Sequence, residues 1–197
     1  MTIGEYPSRV PKKFLIPPSV FESKNKFPRF ANVSTGMGLD TFSLCGGCIV
    51  DDFDNDGYLD IVVSTWNTSG QLRYFRNNGD GTFSERSEEA GFVGLFGGLN
   101  LVQADYDNDG DLDILVLRGA WLKSYGEQPN SLLRNDGHGR FRDVTFLAGL
   151  GEHHFPTQTA AWADYDNDGD LDLYVGNEGA RSQLFENQGN GKFLDAA

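Results

Sequence analysis

The sequence is poor in cysteine and histidine, and it contains no long apolar run. Its only cysteines are Cys45 and Cys48, and it has three histidines. Two cysteines are too few for a disulfide framework, and so small a set does not favour a zinc site with four ligands. The pair is interpreted either as two small packed residues or as a local disulfide. Because no run of about 18 apolar residues occurs, a membrane-spanning helix is not predicted.

Cationic residues are also scarce. Lysine and arginine number 16 against 29 aspartates and glutamates, which gives a net charge of −13. Because contact with phosphates needs a cationic surface, nucleic acid is not expected as a partner. The first 30 residues carry +4 and the remainder −17, and 14 of the 27 acids in that remainder fall in three nine-residue segments. Such concentrated charge indicates neutralisation by a divalent cation.

The N-terminus lacks the features of a secretion signal. Residues 1–21 contain neither an uninterrupted apolar core nor a small-residue cleavage site, so no signal peptide is predicted. Residues 1–27 contain four of the seven prolines and show no helical or alternating periodicity. They are predicted to form an extended, Pro-containing lead-in.

Glycine and phenylalanine, by contrast, are abundant, with 25 and 15 copies. This mixture suits short strands joined by tight turns, so the predicted fold class is all-β. An acidic segment recurs at intervals of 53 and 59 residues, about the length of one four-stranded propeller blade, and it begins at Asp52, Asp105 and Asp164. The pattern Asn-x-Gly-x-Gly-x-Phe also recurs, and its Asn and Gly tolerate the positive φ of a hairpin turn. This turn begins at Asn77, Asn135 and Asn187.

Each repeat predicts one blade of four antiparallel strands. A small-residue strand precedes the acidic segment, an apolar strand follows it, a third strand enters the turn, and the fourth begins at the phenylalanine of the turn. Residues 30–34 match residues 141–145, so residues 28–38 are predicted to be the last strand of a preceding blade. The three blades are predicted over residues 39–92, 93–149 and 150–197, the third being truncated at its fourth strand.

Three blades are fewer than the four or more of a closed propeller. The predicted architecture is therefore three consecutive four-stranded antiparallel blades of a β-propeller that is incomplete in this chain. Each end of such an array leaves an exposed strand edge and an uncovered blade face. Either self-association through these open faces or membership of a longer protein is expected.

The three acidic segments all read Asp-x-Asp-x-Asp-Gly-x-x-Asp, and we number the nine positions of each loop from 1 to 9. Alternate carboxylates on a tightly wound loop converge, Gly at position 6 permits a sharp turn, and position 7 offers a backbone carbonyl, which together suit Ca²⁺. One calcium ion is predicted per loop. Side-chain ligands are predicted at positions 1, 3, 5 and 9, namely Asp52, Asp54, Asp56, Asp60, Asp105, Asp107, Asp109, Asp113, Asp164, Asp166, Asp168 and Asp172. The position 7 carbonyls are those of Tyr58, Asp111 and Asp170.

An EF-hand is the main competing interpretation of these loops. It shares the opening of the motif but needs a bidentate glutamate at position 12 between two helices. Position 12 is valine in all three loops, at Val63, Val116 and Val175. Magnesium is also less suited, because it exchanges its water reluctantly for an all-protein cage.

The acidic loops, the apolar strand after each loop and the Asn-x-Gly-x-Gly-x-Phe turns resemble FG-GAP/VCBS repeats, over about residues 28–197. The variety is similar to that of cartilage acidic protein and of proteins with an ASPIC/UnbV domain, and the loop is related to that of the integrin α-chain propeller. The resemblance implies a ring of about seven blades, bound calcium, a location outside the cell or at its surface (periplasmic in a bacterium), and no catalytic residues.

These observations favour an extracellular binding or adhesion scaffold for a protein or glycan. The alternative is a propeller-type hydrolase or lyase in which calcium is structural. Trp121 is the preferred candidate for a binding surface, because it lies in the blade 2 insertion Arg118–Ser131, where the repeat pattern is interrupted. Trp162, two residues before an acidic loop, is expected to pack inside instead.

Overall fold

The computed structural model describes residues 11–20, 22 and 30–196. Twelve strands occur in this part of the chain, and no α-helix does. None of the short 3-10 helices in it is long and apolar enough to cross a membrane. The strands are β1 (Cys45–Asp51), β2 (Asp60–Thr65), β3 (Arg73–Asn77), β4 (Phe83–Glu85), β5 (Asn100–Ala104), β6 (Asp113–Leu117), β7 (Ser131–Asn135), β8 (Phe141–Asp143), β9 (Thr157–Ala163), β10 (Asp172–Asn177), β11 (Gln183–Asn187) and β12 (Phe193–Asp195).

The strands form three separate four-stranded sheets, each with its strands in chain order: β1–β4 is blade 1, β5–β8 blade 2 and β9–β12 blade 3. Every neighbouring pair within a sheet is antiparallel. This confirms the all-β prediction of three four-stranded antiparallel blades. The three described sheets do not close into a ring.

The hairpins between the third and fourth strands follow the repeated turn pattern. In blade 1, Gly79 and Gly81 have φ of 74° and 86°, and the equivalent glycines of the other two blades also have positive φ. The turn is closed by a hydrogen bond from the Asn78 N–H to the Thr82 carbonyl at 2.9 Å. Glycine adopts such φ values without a steric penalty, so the pattern determines where each sheet reverses.

Two hydrophobic clusters lie between the blades rather than within them. Between blades 1 and 2, Phe53 meets Tyr74 and Phe141 edge-on, with ring centroids 6.5 and 6.0 Å apart. Between blades 2 and 3, Tyr106 stacks on Trp162 at 6.1 Å, which confirms that Trp162 is a packing residue. Both Phe53 and Tyr106 occupy position 2 of an acidic loop. The first two acidic loops are therefore anchored in the cores.

The first strands β1 and β5 approach each other closely because β1 carries glycines. A Cβ on Gly47 would lie 2.6 Å from the Leu101 nitrogen, and one on Gly46 would lie 2.4 Å from the Gly98 carbonyl oxygen. Any larger side chain would push the two backbones apart. The small residues before the first acidic loop are therefore required by the close contact between β1 and blade 2.

Two predictions for the N-terminal region need correction. Within the predicted lead-in, residues 12–14 and 18–20 form short 3-10 helices instead of extended chain. The preceding-blade strand predicted at residues 28–38 is absent from its described part, since residues 30–33 are outside any strand and Ser34–Met37 form a 3-10 helix. The fourth strand of a blade forms by pairing with the third strand of the same blade. No third strand of a preceding blade is present among the described residues to pair with this segment.

Residues 34–39 nevertheless form the same turn that follows the fourth strand in blades 1 and 2. The Leu39 N–H donates to the Ser34 carbonyl at 3.0 Å. Equivalent hydrogen bonds follow the fourth strands of blades 1 and 2, where the N–H of residue 92 donates to the carbonyl of residue 87 and the N–H of residue 150 to the carbonyl of residue 145. Gly38 has φ of 81°, and a Cβ there would lie 2.5 Å from the Phe83 carbonyl oxygen. Gly91 and Gly149 approach the next blade in the same way.

Candidate metal centre

The three acidic loops connect the first and second strands of each blade: loop 1 is residues 52–60, loop 2 is 105–113 and loop 3 is 164–172. Two residues in each loop have positive φ. Gly at position 6 has φ of 88°, 92° and 98° in loops 1 to 3, and Asn at position 4 has φ of 58°, 56° and 64°. Asparagine and glycine are the residues that accept such values most readily, so the Asn-Asp-Gly sequence winds each loop tightly.

This winding brings the carboxylates of positions 1, 3 and 9 together. In each loop, one oxygen from each of the three lies within 4.8 Å of the others. The three groups are Asp52, Asp54 and Asp60; Asp105, Asp107 and Asp113; and Asp164, Asp166 and Asp172. Three predicted side-chain ligands of every loop are therefore clustered.

The carboxylate at position 1 organises the loop backbone. In loop 1, its two oxygens accept the N–H groups of Asp56 and Gly57 at 3.1 and 2.8 Å. The same pair of bonds occurs in loops 2 and 3, at 3.0 to 3.1 Å. Since charge-assisted bonds of this kind are stronger than neutral ones, position 1 fixes the turn at positions 5 and 6.

The carboxylate at position 9 is buried at the start of the second strand. Asp60, Asp113 and Asp172 are 0%, 1% and 2% exposed. Each accepts a backbone N–H from the asparagine that ends the third strand, at 2.7, 2.8 and 2.9 Å. In loop 1 the other oxygen accepts the Tyr74 hydroxyl at 2.6 Å. Position 9 thereby connects the loop to the sheet.

The carboxylate at position 3 is left incompletely paired. The Oδ1 atoms of Asp54 and Asp107 are buried and have no hydrogen-bond partner. The Oδ2 atoms face arginines, Arg76 in blade 1 and Arg134 at 3.9 Å in blade 2. A buried carboxylate oxygen without a donor is costly, so an unpaired oxygen inside a carboxylate cluster fits a site that could hold a cation.

Burial and the neighbouring carboxylates raise the pKa values of two acids in loop 2, Asp107 and Asp113. Burial raises the pKa of Asp113 to about 8, with a further contribution from Asp107 and opposition from the Asn135 N–H. Burial also raises the pKa of Asp107, and the Asp109 carboxylate adds to the effect. Without a cation, these groups resist being ionised together. The donor set consists of hard oxygens, which fits Ca²⁺ better than a soft metal.

The side chains of positions 5 and 7 do not belong to the carboxylate clusters of the described loops. At position 5, the carboxylates of Asp56, Asp109 and Asp168 accept the N–H of position 7 in their own loop, at 2.9 to 3.0 Å. In loop 1, Arg76 also binds Asp56 at 2.6 Å. Direct ligation by position 5 and by the carbonyls of Tyr58, Asp111 and Asp170 stays a prediction.

Sequence analysis missed the asparagines that surround the loops. Asn55 and Asn108 at position 4 donate to the position 7 carboxylate of the following loop, and Asn135 and Asn187 donate to position 2 of the preceding loop. Each pair of asparagines occupies the same place in successive repeats, and this recurrence was the signal in the sequence that could have identified them. Their contacts cross from blade to blade, and a repeat pattern read along the chain does not show such contacts.

The remaining candidates lie away from the loops. Trp121 meets Trp66 edge-on, with ring centroids 6.4 Å apart, beyond the ends of β6 and β2 that are opposite to the acidic loops. Cys45 and Cys48 are free and exposed thiols, so they form neither the local disulfide nor the packed pair that the sequence suggested. The tryptophan pair therefore defines a surface separate from the metal centre.

Comparison with protein families agrees with this geometry. A family model described as FG-GAP-like repeat matches residues 52–116 and again residues 120–175, which together contain all three acidic loops. No curated protein matches the chain significantly. The family match covers more than half of the sequence. The chain therefore belongs to the FG-GAP-like repeat family.

Proposed function

We propose that each acidic loop binds one calcium ion and that the blades form a binding scaffold outside the cytoplasm. The observation that carries the calcium assignment is the buried, unpaired Oδ1 of Asp54 and of Asp107 within a cluster of three carboxylates. The side chain of Asp54 is only 9% exposed, so water does not readily serve as its partner. A cation is the simplest partner for such an oxygen.

In this proposal, different residues of each loop bind the ion and stabilise the loop backbone. Positions 1, 3 and 9 supply converging carboxylates, while the backbone N–H bonds at position 1 hold the turn that brings them together. When bound, calcium would neutralise charges that otherwise repel one another, and it would so contribute to folding. The role of the ion in this proposal is structural. Because the clustered carboxylates serve as ligands of the ion in this proposal, we propose a binding role for the chain instead of a catalytic one.

We expect calorimetry on the calcium-stripped protein to give three equivalents of calcium. Extracellular calcium modules bind with Kd of about 10⁻⁴ to 10⁻³ M, and we expect affinities in this range. Sites of such affinity would be largely empty in resting cytosol, so a measured Kd in this range would support the proposed location outside it. A stoichiometry of zero or one would contradict the calcium assignment, and a Kd below about 10⁻⁶ M would contradict the proposed location.

Asp107→Asn should remove the loop 2 site, because it deletes the charge of the carboxylate with the orphan oxygen. With calcium at about 100 times Kd, loss of one site corresponds to about 2.7 kcal/mol of unfolding free energy. Urea unfolding with and without calcium measures the difference. Asp136→Asn is the matched control, because Asp136 lies in the neighbouring hairpin turn, outside the carboxylate cluster, where its side chain accepts the His138 N–H at 3.1 Å and faces the His138 ring at 4.0 Å. Equal calcium stabilisation of the two variants would disprove the ligand role of Asp107.

The binding surface that we propose is the end of the blades opposite to the acidic loops. Trp66 is exposed and packs edge-on against Trp121. Tyr125, four residues after Trp121, is also exposed, as is Phe96, whose carbonyl accepts the Arg118 Nε–H at 2.7 Å. Aromatic side chains that are already in contact lose little conformational freedom when a ligand binds, which favours recognition. The partner that we propose is a protein or a glycan.

Trp121→Ala should weaken binding to immobilised extracellular-matrix proteins and glycans by at least tenfold while leaving the calcium stoichiometry at three. Loss of a central aromatic anchor commonly costs 2 kcal/mol or more, which is about thirtyfold in affinity. Val93→Ala serves as the control, because Val93 is exposed and belongs to the connection between blades 1 and 2. Undiminished binding by the Trp121 variant would place the ligand elsewhere.

The open face of blade 3 supports self-association as part of the proposal. Tyr165 and Tyr174 are 47% and 50% exposed, whereas their counterparts in blade 2, Tyr106 and Leu115, are each 2% exposed because blade 3 covers them. We expect light scattering to give a mass that rises above 21.7 kDa with concentration. Tyr174→Lys should lower that mass. A concentration-independent monomer mass for the unmodified chain would refute self-association.

A further inference from the structure

Hydrogen bonds between asparagine and aspartate join each acidic loop to the next one. The Asn55 Nδ2 group donates to the Asp111 Oδ1 at 2.8 Å, and the Asn108 Nδ2 group donates to the Asp170 Oδ1 at 2.9 Å. In both cases the donor is position 4 of one loop and the acceptor is position 7 of the following loop. The contact is therefore a repeated feature of the blade interface.

A second link runs through the asparagine that ends each third strand. The Asn135 Nδ2 group donates to the Phe53 carbonyl of loop 1 at 2.8 Å, while its backbone N–H donates to the Asp113 carboxylate of loop 2 at 2.8 Å. Asn187 repeats this arrangement between loops 2 and 3, with distances of 2.8 and 2.9 Å. Both asparagines are buried, so water does not compete for these bonds.

Both links attach next to the clustered carboxylates. In loop 1, Phe53 lies between Asp52 and Asp54, and Asn55 directly follows Asp54. In loop 2, the links end on Asp111 and, through Asn135, on the position 9 carboxylate of Asp113. The conformation of one loop therefore determines where a donor and an acceptor are presented to the next.

We propose that these asparagines couple the calcium sites, so that occupancy of one loop raises the calcium affinity of its neighbours. The inference rests on the proposed calcium binding. A loop that is fixed by its ion holds its position 4 amide and position 2 carbonyl in place, and the neighbouring loop then loses less conformational freedom when it binds. Linkage requires the effect to be reciprocal between two neighbours, and a coupling factor of about 5 to 150 is typical.

The ends of the array provide a built-in control. Asn167, at position 4 of loop 3, has φ of 64°, close to those of Asn55 and Asn108. Loop 3 is followed by no further loop among the described residues, so the Asn167 amide has no counterpart of Asp111 to bind there. Replacement of each asparagine by glycine removes the amide while keeping a residue that accepts the positive φ.

The test compares Asn55→Gly/Asn108→Gly with Asn167→Gly by calcium calorimetry on the whole chain, at a concentration where light scattering gives the monomer mass. The unmodified chain and Asn167→Gly should bind three ions with positive cooperativity. The double variant should still bind three ions, with the coupling factor reduced toward 1. An equal loss of cooperativity in Asn167→Gly would overturn the inference, because that amide joins no described pair of loops.

A second measurement does not depend on the asparagine variants. Asp107→Asn, which empties the middle site, should lower the calcium affinity of both remaining sites by a factor within the range given above. If those two sites keep their affinities, the coupling is absent. Three independent, identical sites in the unmodified chain would also overturn the coupling and leave calcium binding intact, whereas no calcium binding at all would refute the proposed function itself.

Discussion

The structure of each repeat depends on the repulsion among three carboxylates held within 4.8 Å of one another. Two unit charges about 4 Å apart repel by about 4 kcal/mol at the effective dielectric constant near a protein surface, so three such groups are costly unless they are compensated. Part of the compensation comes from backbone N–H groups, which bind both oxygens of position 1. In loops 1 and 2, the buried and unpaired Oδ1 atom at position 3 shows that this internal compensation is incomplete. The cation completes it in our proposal.

The same residues that build the loops also build the blade interfaces. Position 2 places Phe53 and Tyr106 in the two cores between blades, and position 9 begins the second strand of each sheet. A change in loop conformation would therefore be transmitted to the packing, because the ring of Phe53 is only two residues away from the turn at Asn55. If the loops bind calcium as we propose, metal binding and blade association are therefore linked in this fold.

Much of this could be predicted along the chain, since it depends on local patterns. The fourth strands begin at Phe83, Phe141 and Phe193 as the turn pattern predicts, and the predicted carboxylates at positions 1, 3 and 9 do converge. The prediction of a strand near Phe30 was wrong. The sequence there matches the fourth strand of the repeat, but the described sheets contain no partner strand for it to pair with. The cross-blade bonds of Asn55 and Asn135 were missed because they depend on how two repeats are placed side by side in space.

Identical spacing does not make the three loops electrostatically equivalent. The penultimate residue of the third strand is Arg76 in blade 1, Arg134 in blade 2 and Glu186 in blade 3. Arg76 binds the position 3 and position 5 carboxylates of loop 1, whereas Arg134 only approaches position 3 of loop 2 at 3.9 Å. In loop 3, desolvation and the neighbouring carboxylates, Glu186 among them, raise the pKa of Asp166. Uncompensated negative charge therefore increases from loop 1 to loop 3, along the same direction in which the asparagine bonds join the loops.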